Sequence, residues 1–231
     1  MMSGVLRTRT ALPAALLALC ISLPVAGQEI VSAEKYFAGL SAAYGAVQDY
    51  EANLTVTQGK SVSRGKISYK TPTYLRIDFD DPKGQVIAFD GQMFTVFVPQ
   101  YEVVLQQEYK KKGAGAIAAM ANAQGLALLQ RSYNIGFLAS PGPVPLDEGS
   151  REQVVKLRLT ARGISGYRQL VLSVGANSLI RRIEGVQTSG EKITLDFAGI
   201  RTNQGLPDSR FDYKPPAYAN VIPDFLFDSE E

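Results

Sequence analysis

Gly65-Lys-Ile-Ser-Tyr-Lys-Thr-Pro72, then Tyr74-Leu-Arg-Ile-Asp-Phe79, Gln85-Val-Ile-Ala-Phe-Asp-Gly91 and Met93-Phe-Thr-Val-Phe-Val-Pro99 follow one another on the way to Tyr109. Leu75, Ile77 and Phe79 alternate with Tyr74, Arg76 and Asp78, the period of a strand with one apolar face. Asp81-Pro82-Lys83-Gly84 and Asp90-Gly91 are turn signals, the second suited to a two-residue hairpin. Between and beyond these turns, Val86 to Phe89 and Met93 to Val98 are apolar on both faces. A strand without a polar face has to be covered on both sides, so the spacing predicts a sheet with something lying on its inner surface.

Upstream, Ser32 caps a predicted helix running to about Gln48, with Phe37, Leu40, Tyr44 and Val47 at helical spacing and Tyr36 beside them. Such a face is either plain core or the lining of a ligand cavity. Tyr50 to Gln58 alternates cleanly and predicts a strand; Gly59-Lys60 turns it into a second strand that ends near Tyr69, and Tyr101 to Tyr109 predicts a further one. Lys110-Lys111-Lys112 and Gly113-Ala114-Gly115-Ala116 then read as a solvated hinge, without the lysine placement of a phosphate loop. Ala116 to about Arg131 predicts a helix containing Ile117, Met120, Leu126, Leu128 and Leu129. Its polar side is thin, so it has to lie on the sheet, as a packed crossover or as a lid. Gly113, Gly115 and Gly125 supply points where such a lid could bend. Four more strand patterns follow, around Val155 to Leu159, Leu170 to Val174, Leu179 to Val186 and Ile193 to Phe197, in the spacing of an antiparallel meander.

Composition narrows the chemistry. Arg7 and Arg9, the apolar run Ala11 to Leu23 and the small residues Val25-Ala26-Gly27 form a secretory leader pattern, so residues 1–27 are expected to be removed and 28–231 to form one domain. Removing 27 of 231 residues leaves 204, and loss of the two arginines takes 24 basic residues to 22, equal to the 22 acidic ones. A neutral chain of that kind lacks the basic face of a nucleic-acid binder. With no His anywhere and its single cysteine, Cys20, in the leader, the mature chain has no disulfide, thiol nucleophile or imidazole base; no cofactor or metal is expected. Carboxylates such as Asp78, Asp80 and Asp81 would be left for a hydrolase, but they lie in a strand and a turn without an evident partner base.

Taken in order, several short motifs resemble the periplasmic outer-membrane lipoprotein carriers of the LolA family. These are Asp49-Tyr50-Glu51-Ala52 after the first helix, Gly65 to Pro72, Leu75 to Phe79 with Pro82, and Phe89-Asp90-Gly91 leading to Pro99-Gln100-Tyr101-Glu102. Leu206-Pro207-Asp208-Ser209-Arg210-Phe211 and Pro215-Pro216 with Asn220-Val221-Ile222 complete the set. The resemblance implies a mostly β fold with helices (α+β): an open, strongly curved antiparallel half-barrel whose concave face is covered by helices. It implies a non-enzymatic, monomeric periplasmic carrier that takes lipoprotein acyl chains from an inner-membrane ABC-type release complex and hands them to an outer-membrane acceptor. A lipid- or glycolipid-binding envelope protein of the same architecture is the alternative.

By motif position Leu75, Ile77 and Phe79 would face the cavity and Ile117 and Met120 the lid. Leu40, Tyr44, Leu54, Phe89, Phe94, Val96 and Leu128 complete the expected lining. A charge at Leu75 or Ile77 is accordingly expected to abolish cargo binding while leaving the fold largely intact. Where family members carry a basic residue directly before the proline that ends the second strand, this chain has Thr71, with Lys70 one residue earlier. Neighbours in a strand point to opposite faces, so Lys70 is turned away from any lid.

Overall fold

The computed structural model describes residues 31–108 and 122–225. The leader, Lys110 to Lys112, Gly113, Gly115, Ile117 and Met120 lie outside the described residues. Residues from Val31 onward make one compact unit.

Ser32 does cap the first helix, α1 (Ala33–Gly45): its hydroxyl accepts the Lys35 N–H at 3.2 Å. The chain then makes β1 (Asp49–Gln58), β2 (Ser61–Lys70), β3 (Tyr74–Asp81), β4 (Val86–Phe89), β5 (Met93–Val98) and β6 (Val103–Glu108). The hairpin at Asp90-Gly91 forms as its chemistry dictates. Asp90 Oδ1 accepts the N–H groups of Gln92 and Met93, and Gly91 takes a φ of 93° that a side chain would resist. Gly65 is needed for another reason: a Cβ there would stand 2.3 Å from the Asp78 carbonyl oxygen, where β2 and β3 close up beside a register shift.

The second described helix, α2 (Ala123–Ser132), is followed by β7 (Tyr133–Phe137), a two-residue β8 (Val144–Pro145), β9 (Gln153–Ala161), β10 (Tyr167–Gly175), β11 (Ile180–Gln187) and β12 (Lys192–Thr202). The meander is as the alternation predicts, while β7 carries no clear alternation and is absent from the sequence-based elements. A last strand, β13 (Asn220–Pro223), pairs in parallel with β6.

In space the strands run β13-β6-β5-β4-β3-β2-β1-β12-β11-β10-β9-β7, with β8 beside β9. Among the described residues, every pair apart from β13 with β6 is antiparallel, and β13 and β7 are not paired with each other, so the curved sheet is open. Its inner face carries the main core. Phe37, Leu40 and Tyr44 of α1 and Leu126 and Leu129 of α2 pack on Leu54, Ile67, Leu75, Ile77, Phe79, Leu157, Leu172, Ile183 and Phe197.

The outer face is organised by the segment after β12. It leaves at Asn203 and crosses β1, β2 and β3 before rejoining the sheet as β13. Asp49, 3 % exposed, anchors its start by accepting the N–H groups of Gln204, Gly205 and Leu206 at 2.7, 2.9 and 3.2 Å. Lys70 Nζ donates to the Leu206 carbonyl at 2.7 Å and to Asp208 at 2.6 Å. Arg76 donates to the carbonyls of Arg210 and Asp212, and Arg210 reaches Asp78 at 2.9 Å. Phe211 is fully buried against Tyr74, and Tyr213 lies beside Phe97 under the Arg76 guanidinium. This strap, with Tyr213 and Ala219, seals a second apolar cluster of Val86, Ala88, Phe97 and Val104.

Candidate apolar-ligand site

The inner face divides into two parts. Over β1 to β3 and β9 to β12 the helices sit directly on the sheet. Beneath α1, the cavity bounded by Tyr44, Val47, Tyr50, Leu179, Ile180, Phe197, Ile200 and Thr202 has room for about 10 Å³. That is about the space one water's centre needs, so this part is close-packed. Two phenols there are hydrogen-bonded: the Tyr44 hydroxyl accepts the Ile180 N–H at 3.0 Å, and the Tyr69 hydroxyl donates to the Pro72 carbonyl at 3.2 Å. Burial pushes the Tyr44 phenol up to about 12, with the Ile180 hydrogen bond pulling the other way, and burial also pushes Tyr69 up to about 12. Both phenols are neutral at any working pH.

From β4 outward the cover thins. Residues paired across the ladder share a face, and the pairs Ile77 with Ile87, Ile87 with Val96, and Val96 with Leu105 carry the inner face across to β6. Phe89 and Phe94 form the next row. All five side chains beyond Ile77 in these rows, Ile87, Phe89, Phe94, Val96 and Leu105, are only half-buried. Ile87 and Phe89 touch the main core, so the strip is a continuation of it. At its far side Phe225 stacks on Phe94, with ring centres 6.3 Å apart. The described chain after Pro216 therefore reaches the strip at Phe225.

Measured against the sequence-based lining, Leu40, Tyr44, Leu54, Leu75, Ile77 and Phe79 are buried in the close-packed part, and Phe89, Phe94 and Val96 lie in the half-covered strip. Leu128 does not belong: it is 53 % exposed, because Leu126 and Leu129, three apart, take the inward side of α2. Gly125 is no mid-helix hinge either. The described helix begins at Ala123, and Gly125 sits in its first turn with its N–H held by the capping Asn122 at 2.8 Å. The expectation that Leu75 or Ile77 could carry a charge without harm to the fold also fails. At 3 % and 7 % exposed they are core, and an ionised side chain there has no water or partner.

Two other sequence expectations meet their surroundings here. Lys70 does face away from the helices, and its partners are on the strap; Thr71 donates its N–H to the Gln48 carbonyl at 2.8 Å, at the exit of α1. Asp78, a candidate carboxylate for hydrolysis, is held between two arginines. Burial alone would raise its pKa, but the hydrogen bonds from Arg76 and Arg210 outweigh that and hold it below the usual carboxylate range. A carboxylate so fixed on the strap side has neither a free proton nor access to the inner face. Sequence reasoning missed Ile87 and Leu105 as lining residues. The ladder partners of Val96 are what reveal them, and the twofold apolar character of β4 was the available signal.

An open, curved antiparallel sheet with two described helices on its concave face and an apolar strip left half-covered beside them defines a half-barrel with an apolar inner face. Residues 51–214 match the family of the outer membrane lipoprotein carrier protein LolA, and the chain belongs to that family. Its members are binding and transport proteins, not catalysts.

Among curated relatives, the chain is 26 % identical over 168 residues to the outer-membrane lipoprotein carrier protein of Xanthomonas oryzae pv. oryzae, covering 71 % of this chain and 74 % of that one. It is also 26 % identical over 163 residues to the carrier of the same name from Dechloromonas aromatica, covering 69 % and 71 %. Among solved structures, an uncharacterised conserved protein from Thermus thermophilus superposes with a TM-score of 0.53 at 11 % identity, over 81 % of this chain and 96 % of that one. The Pseudomonas aeruginosa MucA/MucB complex gives 0.50 at 15 %, over 82 % and 63 %. These two likenesses speak to the fold. Among the described residues no helix is long and apolar enough to cross a membrane.

Proposed function

We propose that this chain is a periplasmic carrier, exported by its leader, which holds the acyl chains of lipoproteins against the half-covered inner face and ferries them from the inner to the outer membrane. The observation that carries this is the strip of Ile87, Phe89, Phe94, Val96 and Leu105, apolar, partly open and continuous with the core. Family membership and the names of the relatives supply the cargo class.

Hydrocarbon transfer is worth roughly 0.8 kcal/mol per methylene, so one sixteen-carbon chain represents on the order of 12 kcal/mol. A carrier has to offset most of that and still release its cargo without a nucleotide of its own. Aliphatic and aromatic walls without polar specificity meet both demands. The room beneath α1 holds no acyl chain, so cargo takes the β4 to β6 side first, and further room comes only from α1 and α2 rising from the sheet. Loading by an ABC-type release complex and delivery to an outer-membrane acceptor follow from the same reading.

Native mass spectrometry on the protein mixed with a triacylated lipoprotein tests it. A one-to-one complex that disappears in Val96→Glu is the expected result. If only phospholipid or glycolipid binds and lipoprotein never does, the carrier reading falls and the related lipid-binding role replaces it.

A further inference from the structure

The inner apolar face does not stop at β6. Along β13, Val221 pairs with Val104 and Ile222 with Leu105. Val104 is buried in the outer cluster sealed by the strap, whereas Leu105 lies opposite Val96 on the inner side. Val221 therefore faces outward and Ile222 inward, each exposed, at 46 % and 40 %. Phe225, two residues past the strand, returns to the inner side and stacks on Phe94. Burial on the inner face thus falls in steps, from Ile77 in the core to half-buried Val96 and then to exposed Ile222 at the free edge of the sheet.

An added strand is a poor occupant of this edge. The N–H groups of Asn220 and Asp224 already point inward to β6, bonded to the Glu102 and Gln106 carbonyls, and Pro223 has none. That leaves little for another strand to pair with. What the edge offers is a row of hydrocarbon from Ile222 through Leu105, Val96 and Ile87 to Ile77, while in the next row Gln107, opposite Phe94, donates to the Asp224 carboxylate at 3.3 Å.

We infer that Ile222 and Phe225 form the outer lip of the acyl-chain site, so that hydrocarbon enters over the β13 edge and the C-terminal strap is a wall of the site as well as a brace. This rests on the carrier reading. Its occupant is a saturated acyl chain, which gains at every step along the gradient. A charge on the lip would stand in the path and has to be passed by hydrocarbon during entry.

The test compares two neighbours on one strand that differ only in the face they serve. Binding of a triacylated lipopeptide with a fluorophore on its peptide part is followed in equilibrium and stopped-flow measurements for wild type, Val96→Glu, Ile222→Glu and Val221→Glu. Ile222→Glu is expected to slow association about tenfold, while Val221→Glu stays within about twofold of wild type. Ile222→Ser, too small a change to disturb the β13 pairing, should slow association in the same direction if Ile222→Glu also lowers the melting temperature. If wild type fails to bind the lipopeptide, the carrier reading itself fails. If wild type binds, Val96→Glu does not, and the Ile222 and Val221 variants behave alike, the lip is wrong and the carrier reading stands.

Discussion

The two parts of this sheet solve the same packing problem from opposite sides. Over β1 to β3 and β9 to β12 the inner face is closed by α1 and α2. Over β4 to β6 it is the outer face that is closed, by the strap through Tyr213 and Ala219, and the inner side is left half-covered. A sheet buried on one face can hold its shape without burying the other. Bracing β4 to β6 from outside is what allows their inner side to remain available without loss of the fold. The division also explains the ion pairs: Glu51, Asp78, Arg76, Lys70 and Arg210 all serve the strap, where water can meet the charges, and the inner face is left to hydrocarbon.

The sharpest way to break this comparison is to put the same charge on both parts. Ile77→Glu should cost more than about 4 kcal/mol or prevent folding, whereas Val96→Glu should stay within about 1 kcal/mol of wild type while losing lipid. Equal losses in denaturant titrations of the two variants would show that no difference in cover exists. Next in size, Leu126→Ala should destabilise by about 3 kcal/mol, and Leu128→Ala by less than about 0.5 kcal/mol, in thermal or chemical unfolding. This pair checks that α2 sits on the sheet by one face only.

On the strap, Asp49→Asn removes acceptor capacity from three backbone N–H groups and should cost about 2 kcal/mol, with faster amide exchange in β13. Exchange that quickens elsewhere and not at β13 would mean that Asp49 holds something other than the strap.

The smallest effect is the response to acid. Asp78 has a lowered pKa when folded, so its contribution is present above the unfolded value of about 4 and is lost as pH falls through the folded value. Amide exchange at β13 should therefore be constant from neutral pH down to about 4, once corrected for intrinsic rates, and rise below it, and Asp78→Asn should flatten that rise. A rise that survives the substitution assigns the acid sensitivity to another carboxylate.

The family motifs turn out to describe the brace more than the pocket. Asp49, Lys70, Arg76 and Asp78 come from the first half of the chain, and Leu206, Asp208 and Arg210 from its end, yet all of them meet on the outer face. Hydrogen-bonded charges need particular residues at particular places, so they leave motifs. An apolar strip needs only bulk and so leaves none; β4, apolar on both faces, was the one hint of Ile87, and nothing local singled out Leu105. The alternation of Leu75, Ile77 and Phe79 put these residues on one apolar face and the resemblance made that face the inner one, but neither could say how deep they lay. Leu128 was misjudged because composition alone does not fix the rotation of a helix about its axis.

The amino-acid order by itself determined β1 to β6 and β9 to β12, their turns and the first helix cap, because period-2 alternation, Asp-Gly turns and a serine cap act over a few residues. Only the tertiary structure decided which apolar face each part would close, because that depends on where residues 203–225 return. Nothing local in Asn220 to Pro223 announces a parallel strand; β6 and the strap's anchors put it there, and with it the open edge of the inner face.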